Sequence, residues 1–524
     1  MELQKGKNET GGRNRFRHHL FISGHSFSGG GGAVLKTPEG ESSTPSVVYF
    51  PHTDGQDKPT VGTVAKHMAA ADPDNVVQFV KRHMGEPNWR YDSPAGQSYS
   101  PEEISAIILK HLKQDAETNL GKEITDAVIT VPAYFDDARR TATKQAGKIA
   151  GFNVLRVLNE PTAAAISYGL DSQKKGTILV YDLGGGTFDV TLLSVEDLTF
   201  EVIGTDGDRN LGGFDFDNAL MKLIAAKVSD QGGERLLDDF QATADLREKA
   251  EIAKRALSKF STTNVFITFK GKNYKIAITR EEFEQATQSL LARTRDLVQD
   301  VMDEADFDWN DIDYVLLVGG STRMPMVHRM MEKLTGKEPQ SDVNPDEAVA
   351  KGAAVQAGLE ESKLLEAEGK DPAAEGLPTL GGAVQIQDVA SQSLGVLAAN
   401  DETDGLHNSI VIPRNSAIPG SYSNVFYTMQ DNQECVKVEV TQGDDEDPQF
   451  VTIIGTSTLN LPPHPENSPL KITYYYDIDQ TVQIEVTDLV TNQSLGSFEI
   501  DRVANLGKQE MADSANKLNT LSID

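Results

Sequence analysis

Residues 180–189 read VYDLGGGTFD, and no other stretch constrains the chain as tightly. An apolar strand runs into three consecutive glycines and leaves through a threonine and a second acid. Gly184, Gly185 and Gly186 carry no Cβ, so the turn bares several backbone N–H groups on which a phosphate chain can lie directly. Asp182 and Asp189 flank this cradle, placed to hold Mg²⁺ through its waters, and Thr187 offers a hydroxyl to a terminal phosphate. A lone Gly-Gly-Gly reads more readily as a bulge in a sheet. The two acids and the threonine at this spacing turn the reading toward a nucleotide.

The chain has 524 residues, room for three or four units that each bury a core. It carries 49 Lys+Arg against 79 Asp+Glu, a net charge of −30. That balance repels nucleic acid and anionic lipid, so neither is an expected partner. Cys435 is the single cysteine, which excludes an internal disulfide framework and fits a reducing compartment. No apolar run approaches the ~20 residues that span a bilayer. The basic opening segment has an apolar patch at residues 20–22, too short for the core of a signal peptide. A cytoplasmic location is expected.

Two regimes follow along the chain. From residue 44 to 359, Val/Ile-rich runs alternate with amphipathic stretches, an α/β pattern. Strands are expected at 126–131, 177–182, 190–195 and 314–318, and helices at 101–117, 138–150 and 242–258. Residues 360–388 read as a linker, charged first and then rich in Gly and Pro. Over 389–503 alternating segments separated by turn residues predict an antiparallel β-sandwich. Residues 504–524 suit one short helix or a tail, and residues 1–33 are expected to be atypical and disordered.

A second anion site is suggested by residues 313–323, DYVLLVGGSTR. A strand enters Gly319 and Gly320 and then a helix whose first turn would hold Ser321 and Thr322. Between the two loops lies REKAEIAKRALS, residues 247–258, where Glu251, Lys254, Arg255 and Ser258 share one helical face. By itself that face is a solvated charged stripe.

Several longer segments carry a resemblance. VITVPAYFDDARRTATKQAG (128–147), NEPTAAAISYGL (159–170), NPDEAVAKGAAVQAG (344–358) and IPRNSAIPGSYSNVFYTMQDNQ (412–433), with the loops above, resemble the seventy-kilodalton heat-shock chaperone family of the actin-like ATPase superfamily. The resemblance implies a two-lobed actin-like nucleotide-binding domain over 34–359 followed by a β-sandwich that holds extended peptides. It implies ATP/ADP and Mg²⁺ as ligands, with unfolded or extended polypeptides, a J-domain co-chaperone and a nucleotide-exchange factor as partners. By position, Thr187 would contact the γ-phosphate, Asp182 and Asp189 would order the magnesium waters, and Glu160 would help place the attacking water. Lys81 would steady charge on the transferring phosphoryl group. Glu251, Lys254, Arg255 and Ser258 would clasp the adenosine, with Gly320, Ser321, Arg323 and Asp346 opposite. Pro132 and Arg140 would report nucleotide state to the peptide domain. Ala399, Phe426, Met429, Val436 and Val438 would line its groove, although ordinary core packing explains these five equally well.

The chain also departs from the family. A first phosphate loop of the form IDLGTT is expected about thirty residues before TPSVV (44–48), yet the residues there read HHLFISGHSFSGGGGAVLKTPEG. A frame error or altered start in the gene is the expected cause, and the run Gly29–Gly32 would make a poor preorganised site. Phe214 stands where an acid is usual. The segment AVQIQDV, 383–389, puts Gln385 and Gln387 where an apolar run would couple the domains. Little chain follows the sandwich, so no long helical lid is expected. The leading expectation is a lidless ATP-dependent chaperone; the alternative is a nucleotide-binding scaffold that does not hydrolyse ATP.

Overall fold

The apolar runs at 126–131 and 153–159 are buried on both faces, which suits a parallel sheet. In the computed structural model, Asp126–Val131 and Asn153–Asn159 pair in parallel and are joined by the helix Asp137–Ile149. The structure describes residues 19–21, 24–26, 32–53, 55–172, 175–196, 199–340, 344–372, 385–399, 405–477, 481–500 and 505–524. The strand His19–Phe21 lies parallel to Asp126–Val131, with His19 opposite Asp126. Gly24–Ser26 and Gly32–Val34 extend this five-stranded sheet in antiparallel order. The expectation of disorder over 1–33 is therefore corrected for these three strands. Sheet pairing uses main-chain N–H and C=O groups, so an open edge beside Asp126–Val131 can be filled without the usual side-chain pattern. Residues 29–31 of the glycine run lie outside the described residues.

A six-stranded sheet forms the second half, in the order Tyr314–Val318, Gly176–Leu183, Phe188–Glu196, Thr199–Asp208, Gln385–Val389 and Ala417–Ile418. Two helices, Glu160–Ser172 and Ala348–Ala367, join the halves. Their shared core takes Val128 and Leu158 from the first sheet and Ile178, Val180 and Leu316 from the second. The helices approach closely because their facing residues are small: Ala163, Ala164, Ala353 and Ala357 are buried. At Gly352 a Cβ would stand 1.6 Å from the carbonyl oxygen of Ala163.

The linker expectation is corrected at both ends. Residues 360–367 complete the helix Ala348–Ala367, and Gln385–Val389 is a strand parallel to Thr199–Asp208. Gln385 and Gln387 face solvent while Ile386 packs on the core between the halves and Asp388 is buried. The alternation leaves the glutamines on the outer face, and backbone pairing supplies the attachment.

Beyond this strand lie two four-stranded antiparallel sheets. One runs Leu406–Ile412, Leu394–Ala399, Cys435–Gln442, Thr452–Asn460, and the other Gly420–Tyr427, Pro469–Tyr476, Val482–Asp488, Gln493–Glu499. Every second residue points inward, so Val396, Val438 and Val440 meet Ile472, Tyr474 and Ile484 in one core.

The tail forms the helix Lys508–Thr520, as expected, but it packs on the first half. Leu518, Leu521 and Ile523 join the core that holds Ile104, Ile107 and Ala142. The main chain of Asp524 exchanges hydrogen bonds with Val61 and Pro59, at 2.9 and 3.1 Å. Among the described residues no helix is long and apolar enough to cross a membrane.

Candidate functional site

The strands Gly176–Leu183 and Phe188–Glu196 form a hairpin that sets Asp182 directly opposite Asp189. Its turn, residues 184–187, is fixed through its carbonyls. Gly184 O accepts from Gly213 N–H (2.9 Å) and from the Ser321 hydroxyl (3.0 Å). Gly185 O accepts from Phe214 N–H (2.8 Å), and Gly186 O from Arg82 Nε (2.9 Å). With the carbonyls held, the N–H groups of Gly185, Gly186 and Thr187 donate to no protein acceptor among the described residues. Open space lies where a Cβ on Gly185 would stand. Bare N–H groups in a glycine turn beside open space suit an anion nest.

Carboxylates surround its mouth. Glu160 begins the helix Glu160–Ser172, and its Oε1 accepts from Lys81 Nζ at 2.7 Å. Lys81 sits in the short turn Val80–His83, where burial disfavours its charge but Glu160, Asp189 and Asp182 together hold its pKa above the ordinary value. Burial raises Asp182 well above the usual carboxylate range, and the charges of Glu160 and Asp189 add to it. Asp189 is pushed up to about 7 by burial, against the N–H of Tyr134 that bonds its Oδ1 at 3.0 Å. Three carboxylates beside one ammonium leave the mouth short of positive charge. Among the described residues no three His, Cys, Asp or Glu side chains are grouped to hold a metal directly.

The second loop differs in detail from its expected form. Tyr314–Val318 runs parallel to Gly176–Leu183, but residues 320–323 make a 3₁₀ turn and the α-helix starts only at Pro325. Gly319 has φ +83° and its Cβ would lie 2.4 Å from Leu183 O, so both the conformation and the close approach require glycine. The Ser321 hydroxyl is spent on Gly184, while Arg323 pairs with Asp346 at 2.5 Å on an exposed edge beside Gly320.

On the helix Phe240–Lys259 the four residues diverge in role. Lys254 is buried and bonds Gly213 O and Asp217, both at 2.9 Å, so its ammonium braces the glycine pair beside the cradle. Ser258 bonds back to Lys254 O. Glu251 takes Arg255 at 3.0 Å and Lys66 of the first half at 2.7 Å. Lys66 and Tyr134 were not singled out in the sequence. Each belongs to a segment without a phosphate-loop pattern and acts only through a long-range partner.

Pro132 closes Asp126–Val131 and is buried beside Arg140. The Arg140 guanidinium bonds Phe135 O, Ala133 O and Asn159, and Asn159 Nδ2 donates to Asp388 at 2.6 Å. Burial raises the Asp388 carboxyl, opposed by the Arg140 charge. Arg414 and Asn415 reach Asp206, Thr205 and Glu304 from the far side. The first set of bonds joins the sheet bearing Asn159 to the strand Gln385–Val389, and the second joins the segment after Leu406–Ile412 to the second half.

The five groove residues are not brought into one open surface. Val438 is completely buried in the shared core, because it lies mid-strand on the inward face. Phe426 and Val436 pack against that core, Ala399 ends its strand half-buried, and Met429 is 69% exposed.

A family model described as "Hsp70 protein" matches residues 26–520. The match begins inside the hairpin 19–26, spans both halves and the paired sheets, and extends to the tail helix. With the nest, its carboxylates and the two glycine loops in place, the chain belongs to the 70-kDa heat-shock protein family of nucleotide-binding chaperones.

Proposed function

We propose that the chain is an ATP-dependent chaperone in which a two-lobed, actin-like nucleotide domain governs a β-sandwich that binds extended polypeptides. The nest at Gly184–Thr187 carries the reading: its carbonyls are tied down and the N–H groups of Gly185, Gly186 and Thr187 are left for a ligand. Such preorganised donors are strongest where charge develops on a phosphoryl group. Mg²⁺, held through water by Asp182 and Asp189, would supply charge neutralisation when bound. Lys81, which Glu160 holds in place and keeps charged, would face the terminal phosphate. Thr187, almost wholly buried at the end of the turn, would offer its hydroxyl to the terminal phosphate. The buried Arg140–Asn159–Asp388 chain supports coupling to the peptide domain, since its members lose or keep partners together.

Steady-state ATP turnover tests the reading, measured beside ADP affinity on the same protein. Thr187→Ala is expected to lower turnover by about 10²-fold with little loss of binding. A wild-type chain that binds ATP yet turns over none above background refutes the hydrolytic cycle and leaves the non-hydrolysing scaffold.

A further inference from the structure

We propose that Phe214 is a lobe-to-lobe clamp that closes the two halves over the phosphate turn and sets the rate at which nucleotide leaves; this rests on the nucleotide-binding reading above. Phe214 stands at the start of the helix Gly213–Ser229, whose Phe216 and Leu220 are buried in the core of the second half. Across the cleft its ring meets Phe79, with centroids 4.3 Å apart and planes tilted by 51°. Phe79 precedes the turn Val80–His83, and its neighbours Val77 and Val80 are buried in the separate core of the first half.

Two guanidiniums complete the cluster. Arg82 lies 5.2 Å from the Phe214 ring and Arg247 4.5 Å from it, both within cation–π reach. Arg82 also pairs with Asp215 at 2.6 Å and donates to Gly186 O, while the Phe214 N–H donates to Gly185 O. The clamp and the nest thus share their framework. Opening the ring pair pulls on the carbonyls that orient the free N–H groups.

Phe79 carries a second, independent sign. Its backbone is left-handed, φ 59° and ψ 26°, a conformation costly for a bulky residue and concentrated at functional positions. That conformation presents the ring across the cleft. A carboxylate at 214 would instead pair with Arg82 and Arg247 through charge, which salt screens. Ring–ring and apolar contact is screened far less. The aromatic residue therefore adds a component of closure that salt does not screen, beside the Arg82–Asp215 and Lys66–Glu251 ion pairs, which it does.

The test uses the full chain as wild type, Phe214→Ala, Phe214→Leu and Phe214→Glu. Release of a fluorescent ADP with Mg²⁺ is followed at about 50 and about 500 mM salt. Hydrogen exchange of residues 79–86 is read in the nucleotide-free protein. Phe214→Ala should release ADP about tenfold faster at both salts, with Phe214→Leu between it and wild type. Phe214→Glu should hold ADP nearly as wild type does at low salt and release it about tenfold faster than wild type at high salt, a larger salt response than wild type shows through Arg82–Asp215 and Lys66–Glu251. Exchange over residues 79–86 should rise in Phe214→Ala. Wild-type release and exchange in Phe214→Ala overturn the clamp. A wild-type chain that retains no ADP overturns the nucleotide reading instead, and unchanged exchange still overturns the clamp by itself.

Discussion

Gly319→Ala measures how tightly the two glycine loops interlock. Two costs arise at this position. An L-residue at φ +83° costs about 1–2 kcal/mol. The new Cβ would stand 2.4 Å from Leu183 O and 2.7 Å from Asp182 Oδ1. The first is backbone in a central strand and cannot swing away, so the contact adds about 1–3 kcal/mol of overpacking. The sum, about 2–5 kcal/mol, is a large part of a domain stability of about 5–15 kcal/mol. The displacement falls on Asp182 and the entry to the nest, so ADP–Mg²⁺ affinity should drop by at least about tenfold, or about 1.4 kcal/mol. Gly336→Ala is the internal control: φ is +67° there, and nothing lies within 4 Å of the added Cβ. It should cost only the conformational part and leave affinity unchanged. Chemical denaturation gives both stabilities, and titration calorimetry gives both affinities. Equal destabilisation by the two variants, with equal ADP affinity, would refute the interlock.

Three further outcomes are expected. Leu518→Ala empties a fully buried site and should weaken docking of the tail helix by about 2–5 kcal/mol, read as faster hydrogen exchange over residues 508–520; unchanged exchange would mean that the helix does not depend on the core. Burial pushes the Asp488 carboxyl up from its ordinary 3.8, but bonds from Thr491, His464 and the N–H groups of Val490 and Thr491 prevail and hold it at about 2. Its folded pKa is depressed, so its stabilisation is complete above pH 3.8 and is lost as pH falls through about 2. Acid unfolding of the paired sheets should lose that component in Asp488→Asn, and identical profiles would count against it. Gly352→Ala drives a methyl into Ala163 O between two packed helices and should abolish cooperative folding or lower the midpoint steeply; a near-neutral effect in thermal unfolding would show that the helices can part.

Much of the architecture was legible because its signals are local. The strands at 126–131 and 314–318 match their expected bounds, and those at 177–182 and 190–195 lie within the observed Gly176–Leu183 and Phe188–Glu196. Helices expected at 101–117 and 242–258 extend by a few residues at their ends, where a capping box at Ser100 and a cap at Asp239 set the start. The linker misled because charge and glycine content describe solvation, whereas Gln385–Val389 is held by main-chain pairing. Residues 19–26 misled for the same reason, since a neighbouring strand edge outweighs a missing side-chain pattern.

By itself the sequence determined the nest, its acids and its threonine, because a turn without Cβ atoms between two strands bares backbone N–H groups wherever it is placed. It also determined the family, through long motifs that do not depend on their neighbours. Only the tertiary structure decided which groups tie the nest's carbonyls. Ser321, Arg82 and the Phe214 N–H come from 29 to 137 residues away, and no spacing rule predicts such partners. It likewise turned an apparent loss of charge at Phe214 into an aromatic and cationic cluster, and an unremarkable tail into part of the first core. The physical reason is common to these cases. Backbone exposure is set within a few residues, but burial, ion pairing and ring contact depend on what the folded chain brings alongside.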